Sequence, residues 1–293
     1  MRSSELPGRC HPGSGFFQNS LIDTSAKPTI GQGVLEPDGQ AICMRLPLSV
    51  CIFTYNEEAN LSDCLASVRE LADEIVILDS GSQDQTSRIA KKFGARFETH
   101  PFDDFGAQYN RLFALATHEW ILNLDADERL TPELAQSIRD AFSQEEPLRK
   151  YQGFSFNRLN YFIGKPIQHS GWSPDPLVRL FRKDSGEMER RKVHVQILVQ
   201  GNIGTLSGNF LHYTYRSLDS YLQKTIQYAR LAAIEMKRNG RKPSLFRLFT
   251  HPIAMAFKMY ILKKGFLDGK EGIFLAILYS YYTFLKYLYL YYI

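Results

Sequence analysis

The sequence predicts an α/β fold: a mostly parallel sheet flanked by helices, with a C-terminal helical, membrane-associating extension. Three observations carry this. Between residues 48 and 124, short apolar runs alternate with segments of helical periodicity. Each of the main apolar runs stops abruptly at a polar or acidic cluster. Beyond residue 215 the composition changes, with 13 Lys and Arg against 4 Asp and Glu, a net charge of +9, while the rest of the 293-residue chain carries −5. A basic, aromatic back and a mildly acidic front suggest that the back meets an anionic surface.

Residues 1–46 are mostly rich in Gly, Pro and Ser without periodicity and are expected to be disordered or poorly packed. No signal peptide is expected, and Met44 stands as an alternative start. Residues 48–54 (LSVCIFT) read as a buried parallel strand, ending in Tyr55-Asn56-Glu57-Glu58. Asn60 then caps a helix whose Leu61, Cys64, Leu65, Val68 and Leu71 share one face. Residues 74–78 (EIVIL) form a second buried strand, running into the loop 79–86 and a helix closed by Gly94. A third strand at 95–99 and a helix at 106–116 follow. Residues 120–124 (WILNL) make a fourth strand, and Thr131 caps a helix with Pro132 at its first position.

The acids after that fourth strand are the centre of the functional reading. Asp125, Asp127 and Glu128 cannot remain unpaired in a core, so they emerge at the strand's end. Two hard oxygen donors flanking one residue suit Mg²⁺ or Mn²⁺ held together with substrate phosphates; the alternative is that Asp127 and Glu128 are solvated loop charges. In open α/β sheets ligands bind beyond the carboxyl ends of the strands, where residues 54–58, 79–84 and 125–128 all lie. No Gly-x-Gly-x-x-Gly and no Walker loop follows the first strand, which disfavours a dinucleotide dehydrogenase or a P-loop enzyme. Asp79 is a candidate for holding a base or ribose, or else a turn cap. Four cysteines show no metal-ligand spacing, and Cys51 and Cys64 fall in predicted core elements, as reduced thiols would.

The motifs TYNEE (54–58), DSGSQDQT (79–86) and LDADE (124–128), with the later GWSPDPLVRLFRK (171–183), resemble the inverting nucleotide-sugar transferases of glycosyltransferase family 2. The branch most similar is that of lipopolysaccharide-core β-1,4-glucosyltransferases. The resemblance implies a GT-A, Rossmann-like fold over residues 47–215 and a nucleotide-sugar donor, commonly UDP-linked. It also implies a divalent cation on the Asp-x-Asp, with Asp127 as metal ligand. Carried over by position, Thr54, Asn56, Glu58, Asp79, Ser82, Gln108, Asn110, Arg111 and Asp125 would line the donor site.

Inversion at an anomeric carbon further requires a base and a positioned acceptor. Family likeness assigns the base to Asp175, which lies between two prolines and near Trp172, whose face suits a sugar ring. A simple turn residue is the alternative. Arg179 would hold phosphates of the donor or of an anionic acceptor, or be a solvated strand charge. It and Arg182 would face opposite sides of a regular strand, so only a bulge or the strand's end would bring both to one ligand. His194 is a candidate third metal ligand or a packed strand residue, and His212 a weaker one. Many relatives carry a glutamate where this chain has Val195.

Residues 217–239 read as a helix, and 246–262 and 273–293 as further helical runs. The last run has one charge, Lys286, and seven tyrosines. Its length permits a membrane span, but the hydroxyls favour an interface, on an anionic bilayer or against the protein. The expected protein is a hexosyltransferase peripheral to the inner face of the cytoplasmic membrane, acting on a glycan or lipid-linked acceptor, with no nucleic-acid partner. A catalytically idle nucleotide-sugar-binding protein and a sugar nucleotidyltransferase are the rivals.

Overall fold

The computed structural model describes residues 45–189, 196–215 and 217–293. Almost all of the predicted N-terminal segment and the candidate ligand His194, with Val195, lie outside the described residues. The chain opens as β1 (Leu46–Thr54), α1 (Leu61–Val68), β2 (Ala72–Asp79), α2 (Thr86–Lys92), β3 (Arg96–Thr99), α3 (Phe105–Leu115) and β4 (Trp120–Asp125). It continues as β5 (Glu128–Leu130), α4 (Pro132–Ser143), α5 (Glu145–Lys150), β6 (Gly153–Phe162), β7 (Lys165–Pro166) and β8 (Pro176–Arg182). Then come β9 (Gly186–Met188), β10 (Ile197–Val199) and β11 (Ile203–Tyr215).

The main sheet runs β3-β2-β1-β4-β8-β6-β11-β5, with β7 beside β6. The first four strands are parallel, as the strand–helix alternation predicts. Beyond β4 the sheet becomes mixed: β8 is antiparallel to both β4 and β6, and β11 is parallel to β6 but antiparallel to β5. The parallel order therefore stops where the strand–helix alternation stops.

Side chains alternate across β4 and divide the core in two. Trp120, Leu122 and Leu124 pack with Leu61 and Leu65 of α1 and Leu134 and Ile138 of α4. Ile121 faces the other way, onto Tyr109, Leu112 and Phe113 of α3. Thr131 caps α4 as predicted, accepting from Leu134 N at 3.2 Å. Asn60 does not cap α1 through its side chain; its amide donates instead to Glu57 Oε2 at 2.7 Å. Cys51 and Cys64 are buried and free, and burial pushes both thiols up, so they are inert core residues.

The extension consists of α6 (Leu218–Arg238), α7 (Leu245–Phe257), a π turn (Lys258–Leu262), a 3₁₀ turn (Gly265–Asp268) and α8 (Lys270–Tyr292). By length and composition α8 is apolar enough to cross a membrane. One side of it packs against α6 and α7, with Leu275, Tyr287 and Leu290 buried. Its start approaches the 3₁₀ turn so closely that a Cβ on Gly272 would lie 1.8 Å from the Gly265 carbonyl oxygen.

Candidate active site

Register brings the polar clusters together. Thr54 at the end of β1 lies opposite Asp79 on β2, and Phe53 lies opposite Asp125 on β4. Asp79 and Asp125 thus flank one strand at the same carboxyl edge, about 10 Å apart from the usual strand spacing.

Loops 54–58 and 79–86 are laced to each other. Asn56, in the left-handed region at φ 53°, donates its backbone N–H to Ser82 Oγ at 2.7 Å and accepts from Gln83 N through Oδ1 at 2.9 Å. Glu58 N donates to Asp84 Oδ2 at 3.0 Å, and Glu58 Oε2 accepts from Gln85 N at 2.9 Å. The Asp79 carboxylate is 2% exposed and takes four donors: Gly81 N, Ser82 N, Ser82 Oγ and Thr54 Oγ1. Of the two readings open for Asp79, this is the geometry of a turn cap that shapes the loop beneath a ligand.

The three polar residues expected from α3 have other partners. Gln108 is buried and ties down the carbonyls of His100 and Pro101. Asn110 makes a reciprocal pair with the backbone of Met188 at 2.8 and 2.9 Å, fastening α3 to β9. Arg111 pairs with Asp103 on the rim and donates to Gln108 Oε1 at 3.1 Å. None of the three has a side chain free of protein partners. The α3 residue that reaches the site is Tyr109, whose hydroxyl donates to Asp125 Oδ1. Sequence reasoning missed it. The available signal was its place on the apolar stripe with Leu112 and Phe113, where a buried tyrosine needs a hydroxyl partner.

Glu128 was the larger omission. It is not a solvated loop charge: it is fully buried, accepts Asp125 N at 3.0 Å through Oε2 and Arg179 Nη2 at 2.6 Å through Oε1. Arg179 Nη2 also donates to Asp125 Oδ2 at 2.9 Å. Pairing between β6 and β8 skips Arg179, since Phe154 faces Leu180 and Ser155 faces Val178. That bulge turns its guanidinium into the acid cluster, while Arg182 points away to Glu119 and Asp184. Arg179 is therefore neither a solvated charge nor a free phosphate hook. Burial pushes Glu128 up; Arg179 opposes this and Asp125 reinforces it, leaving Glu128 at about 7. Burial acts on Asp125 too, but Arg179 and the Tyr109 hydroxyl outweigh it and hold Asp125 below the usual carboxylate range.

Asp127 remains partly open to solvent, and its Oδ2 lies 3.4 Å from His212 Nε2. The pairing of β5 with β11 sets this, placing His212 opposite Glu128. His212 Nδ1 in turn lies 2.7 Å from Asn160 Oδ1. The Asn160 amide nitrogen then donates to Asp175 Oδ2 and to the Trp172 carbonyl, both at 3.2 Å. Asp175 is held by Arg158 as well, through Nε at 2.8 Å and Nη2 at 2.7 Å. All of these side-chain donors fall on Oδ2; Oδ1 has no partner among the described residues. Trp172 stands beside it, its ring edge-on to Phe162 and its Nε1 donating to Tyr279 OH at 2.9 Å.

The assembly thus joins a carboxylate–imidazole pair at one side of the edge to a half-free carboxylate beside an indole at the other. The description Glycosyl transferase family 2 matches residues 49–210. The lipopolysaccharide core biosynthesis glycosyltransferase LpsC of Rhizobium meliloti (strain 1021) is 29% identical over 253 residues, covering 82% of this chain and 90% of that protein. The uncharacterized glycosyltransferase RT0209 of Rickettsia typhi is 27% identical over 248 residues, covering 82% and 85%. Among solved structures, Mycobacterium tuberculosis glucosyl-3-phosphoglycerate synthase aligns at 19% identity with a TM-score of 0.45, covering 66% of this chain and 80% of that one.

Proposed function

The chain belongs to glycosyltransferase family 2, and from that premise we propose that it moves a hexose with inversion from a UDP-sugar to a cell-surface glycan acceptor, such as lipopolysaccharide core, at the inner face of the cytoplasmic membrane. The observation that carries the reading is the union, on one sheet edge, of Asp125 and Asp127 with Asp175. The likeness to a lipopolysaccharide core biosynthesis glycosyltransferase supports the acceptor class.

The donor set suits a divalent cation. Asp127 would contribute a hard carboxylate oxygen, and His212 would contribute Nε2. His212 Nδ1 lies 2.7 Å from the Asn160 carbonyl oxygen, so a ring protonated at Nδ1 would turn the Nε2 lone pair toward Asp127, with Thr214 Oγ1 3.3 Å from Nε2. Two protein ligands at an open edge leave positions for diphosphate oxygens and water, as Mg²⁺ or Mn²⁺ sites commonly do. When bound, the ion would neutralise charge on the departing diphosphate. In this reading His212 takes the role that the sequence offered to His194.

The protein's own groups supply the rest. Loops 54–58 and 79–86 form the nucleoside pocket, with Thr54 and Asp79 setting its floor. Asp125, fixed by Tyr109 and Arg179, faces the donor sugar. Asp175 accepts the acceptor hydroxyl's proton at Oδ1 while Arg158 and Asn160 hold Oδ2. Trp172 offers the acceptor ring a wall. Incubation with a panel of UDP-sugars and Mn²⁺ tests the proposal: slow hydrolysis of one donor, abolished by EDTA and by Asp127→Asn, is expected. Binding of UDP with no turnover of any donor, even with lipopolysaccharide core present, would leave an idle binding protein instead.

A further inference from the structure

The extension carries two sets of residues that the transfer chemistry leaves unused. One set is apolar. Phe246, Phe249, Ile253 and Phe257 recur at helical spacing along α7 and are 55–77% exposed, while Leu248 and Pro252 on the opposite side are buried. Leu262 in the π turn extends the exposed stretch. Soluble monomers rarely leave so many large side chains together in water.

The other set is cationic. Arg241, Lys242 and Arg247 line a cleft of 490 Å³ where α6 gives way to α7. Lys258, Lys263 and Lys264 stand exposed at the far end of α7. Between Asn239 and Leu267 there are six Lys and Arg and no acidic residue. An apolar face bordered by charge of one sign matches an anionic bilayer, where the rings enter the headgroup region and the cations meet phosphates. A second copy of the chain fits poorly: a two-fold interface would set like-charged rims against each other.

The same elements hold the acceptor loop. Asp268, at the end of the 3₁₀ turn, is almost fully buried and accepts from Gln168 N, His169 N and Ser170 Oγ. Ser170 N donates to the Lys263 carbonyl, and Trp172 Nε1 to Tyr279 on α8. The loop bearing Trp172 and Asp175 is thus bolted to the segment that carries the apolar face.

We propose that the exposed face of α7, with its flanking cations, docks on an anionic bilayer and so presents the Trp172–Asp175 loop to an acceptor anchored in that bilayer. This rests on the reading of that loop as the acceptor side. It also assigns docking to α7, while α8, which leaves Ile273, Phe274 and Ile277 44–58% exposed, is the helix on which α7 and the acceptor loop are mounted.

Flotation of the full-length protein with phosphatidylglycerol-rich vesicles, compared with pure phosphatidylcholine, tests the docking. The wild type is expected to float with the anionic vesicles, less so as salt rises. The triple substitution Phe246→Ser, Phe249→Ser, Ile253→Ser should lower partition by roughly a hundredfold or more. Neutralising Arg241, Lys242 and Arg247 to Gln, at about fivefold per cation, should also lower it by roughly a hundredfold. This second variant leaves the apolar face intact and guards against misfolding of the first. Both variants should keep wild-type UDP-sugar hydrolysis in solution. Equal flotation of the wild type with both vesicle types, no flotation at all, or a dimer in which the α7 face is protected would each overturn the proposal. Flotation without donor hydrolysis would leave docking intact and sink the enzymatic reading; hydrolysis without flotation would do the reverse.

Discussion

The proposed donor and acceptor sides of the site are held by hydrogen bonds of different sequence range. On the donor side, two loops about 26 residues apart close on each other through their own side chains and backbone. On the acceptor side, the loop around residues 168–175 is fixed by Asp268 and Tyr279, about 100 residues further along. The first arrangement is a property of the parallel sheet alone. The second draws on the C-terminal helices as well as on Asn157, Arg158 and Asn160 of β6. On the proposed reading the nucleotide binds to one half and the acceptor geometry comes from the other, so damage to each half should have a different kinetic signature.

The largest expected effects separate the halves by substitution of their carboxylates. Asp175→Asn should lower transfer by about 10²–10⁴-fold, the usual worth of a positioned base. It should leave the dissociation constant for UDP within about twofold, because Asp175 bonds Asn157, Arg158 and Asn160 of β6 rather than the loops proposed to hold the nucleotide. Asp127→Asn should abolish both transfer and the Mn²⁺ dependence of UDP binding, read by calorimetry. Near-normal transfer by Asp175→Asn beside a dead Asp127→Asn would move the base elsewhere.

A second test concerns the seam where the halves meet. Arg179 is buried between Asp125 of β4 and Glu128 of β5, and its partners outweigh burial and push its pKa up, so it stays charged. Arg179→Met would strand the buried Glu128 and the partly exposed Asp125, at a cost of about 3–5 kcal/mol of stability by urea unfolding. The pH dependence has a definite sign. Glu128 is raised to about 7 in the folded protein against 4.5 in the unfolded chain, so the folded state holds more protons between those values. Stability from this group is therefore lost as pH rises through 7. Without Arg179 the folded value rises further, and the deficit should be largest above pH 7 and shrink toward pH 4.5. A pH-independent loss would mean that packing, not charge, holds the seam.

The same contrast explains what was legible in the sequence. Four strands, their helices and the acids at their ends were readable because alternation and periodicity are local signals. Asp127 and Asp175 were readable as motif positions. Glu128 was not, because a three-residue strand shows no alternation to mark its buried side. The bulge that redirects Arg179 leaves no mark in composition. His212 reads as a weaker candidate than His194 because only the pairing of β11 with β5 brings it to Asp127. Asp268 carries no signal in the sequence, since nothing near it in the chain predicts that its carboxylate would cap a loop about a hundred residues earlier.

Asp268 therefore gives the most selective, though smallest, test of how the halves cooperate. Its carboxylate gathers two backbone N–H groups, the Ser170 hydroxyl and the His169 ring, and its side chain is only 4% exposed. Asp268→Asn keeps the size but replaces one accepting oxygen with a donor amide, which faces donors and cannot satisfy them. Hydrogen bonds to a charged acceptor are worth about 1.5–3 kcal/mol each, so the loop should loosen from the extension. Because the change lies outside the donor pocket, UDP affinity and donor hydrolysis should stay at wild-type values. The acceptor KM should rise by about tenfold, the equivalent of about 1.4 kcal/mol of lost preorganisation. Limited proteolysis gives a second readout, since a freed loop should be cut near residue 170 earlier than in the wild type. If acceptor KM and cleavage both stay unchanged, the loop holds its shape without the helices, and the acceptor half folds as locally as the donor half does.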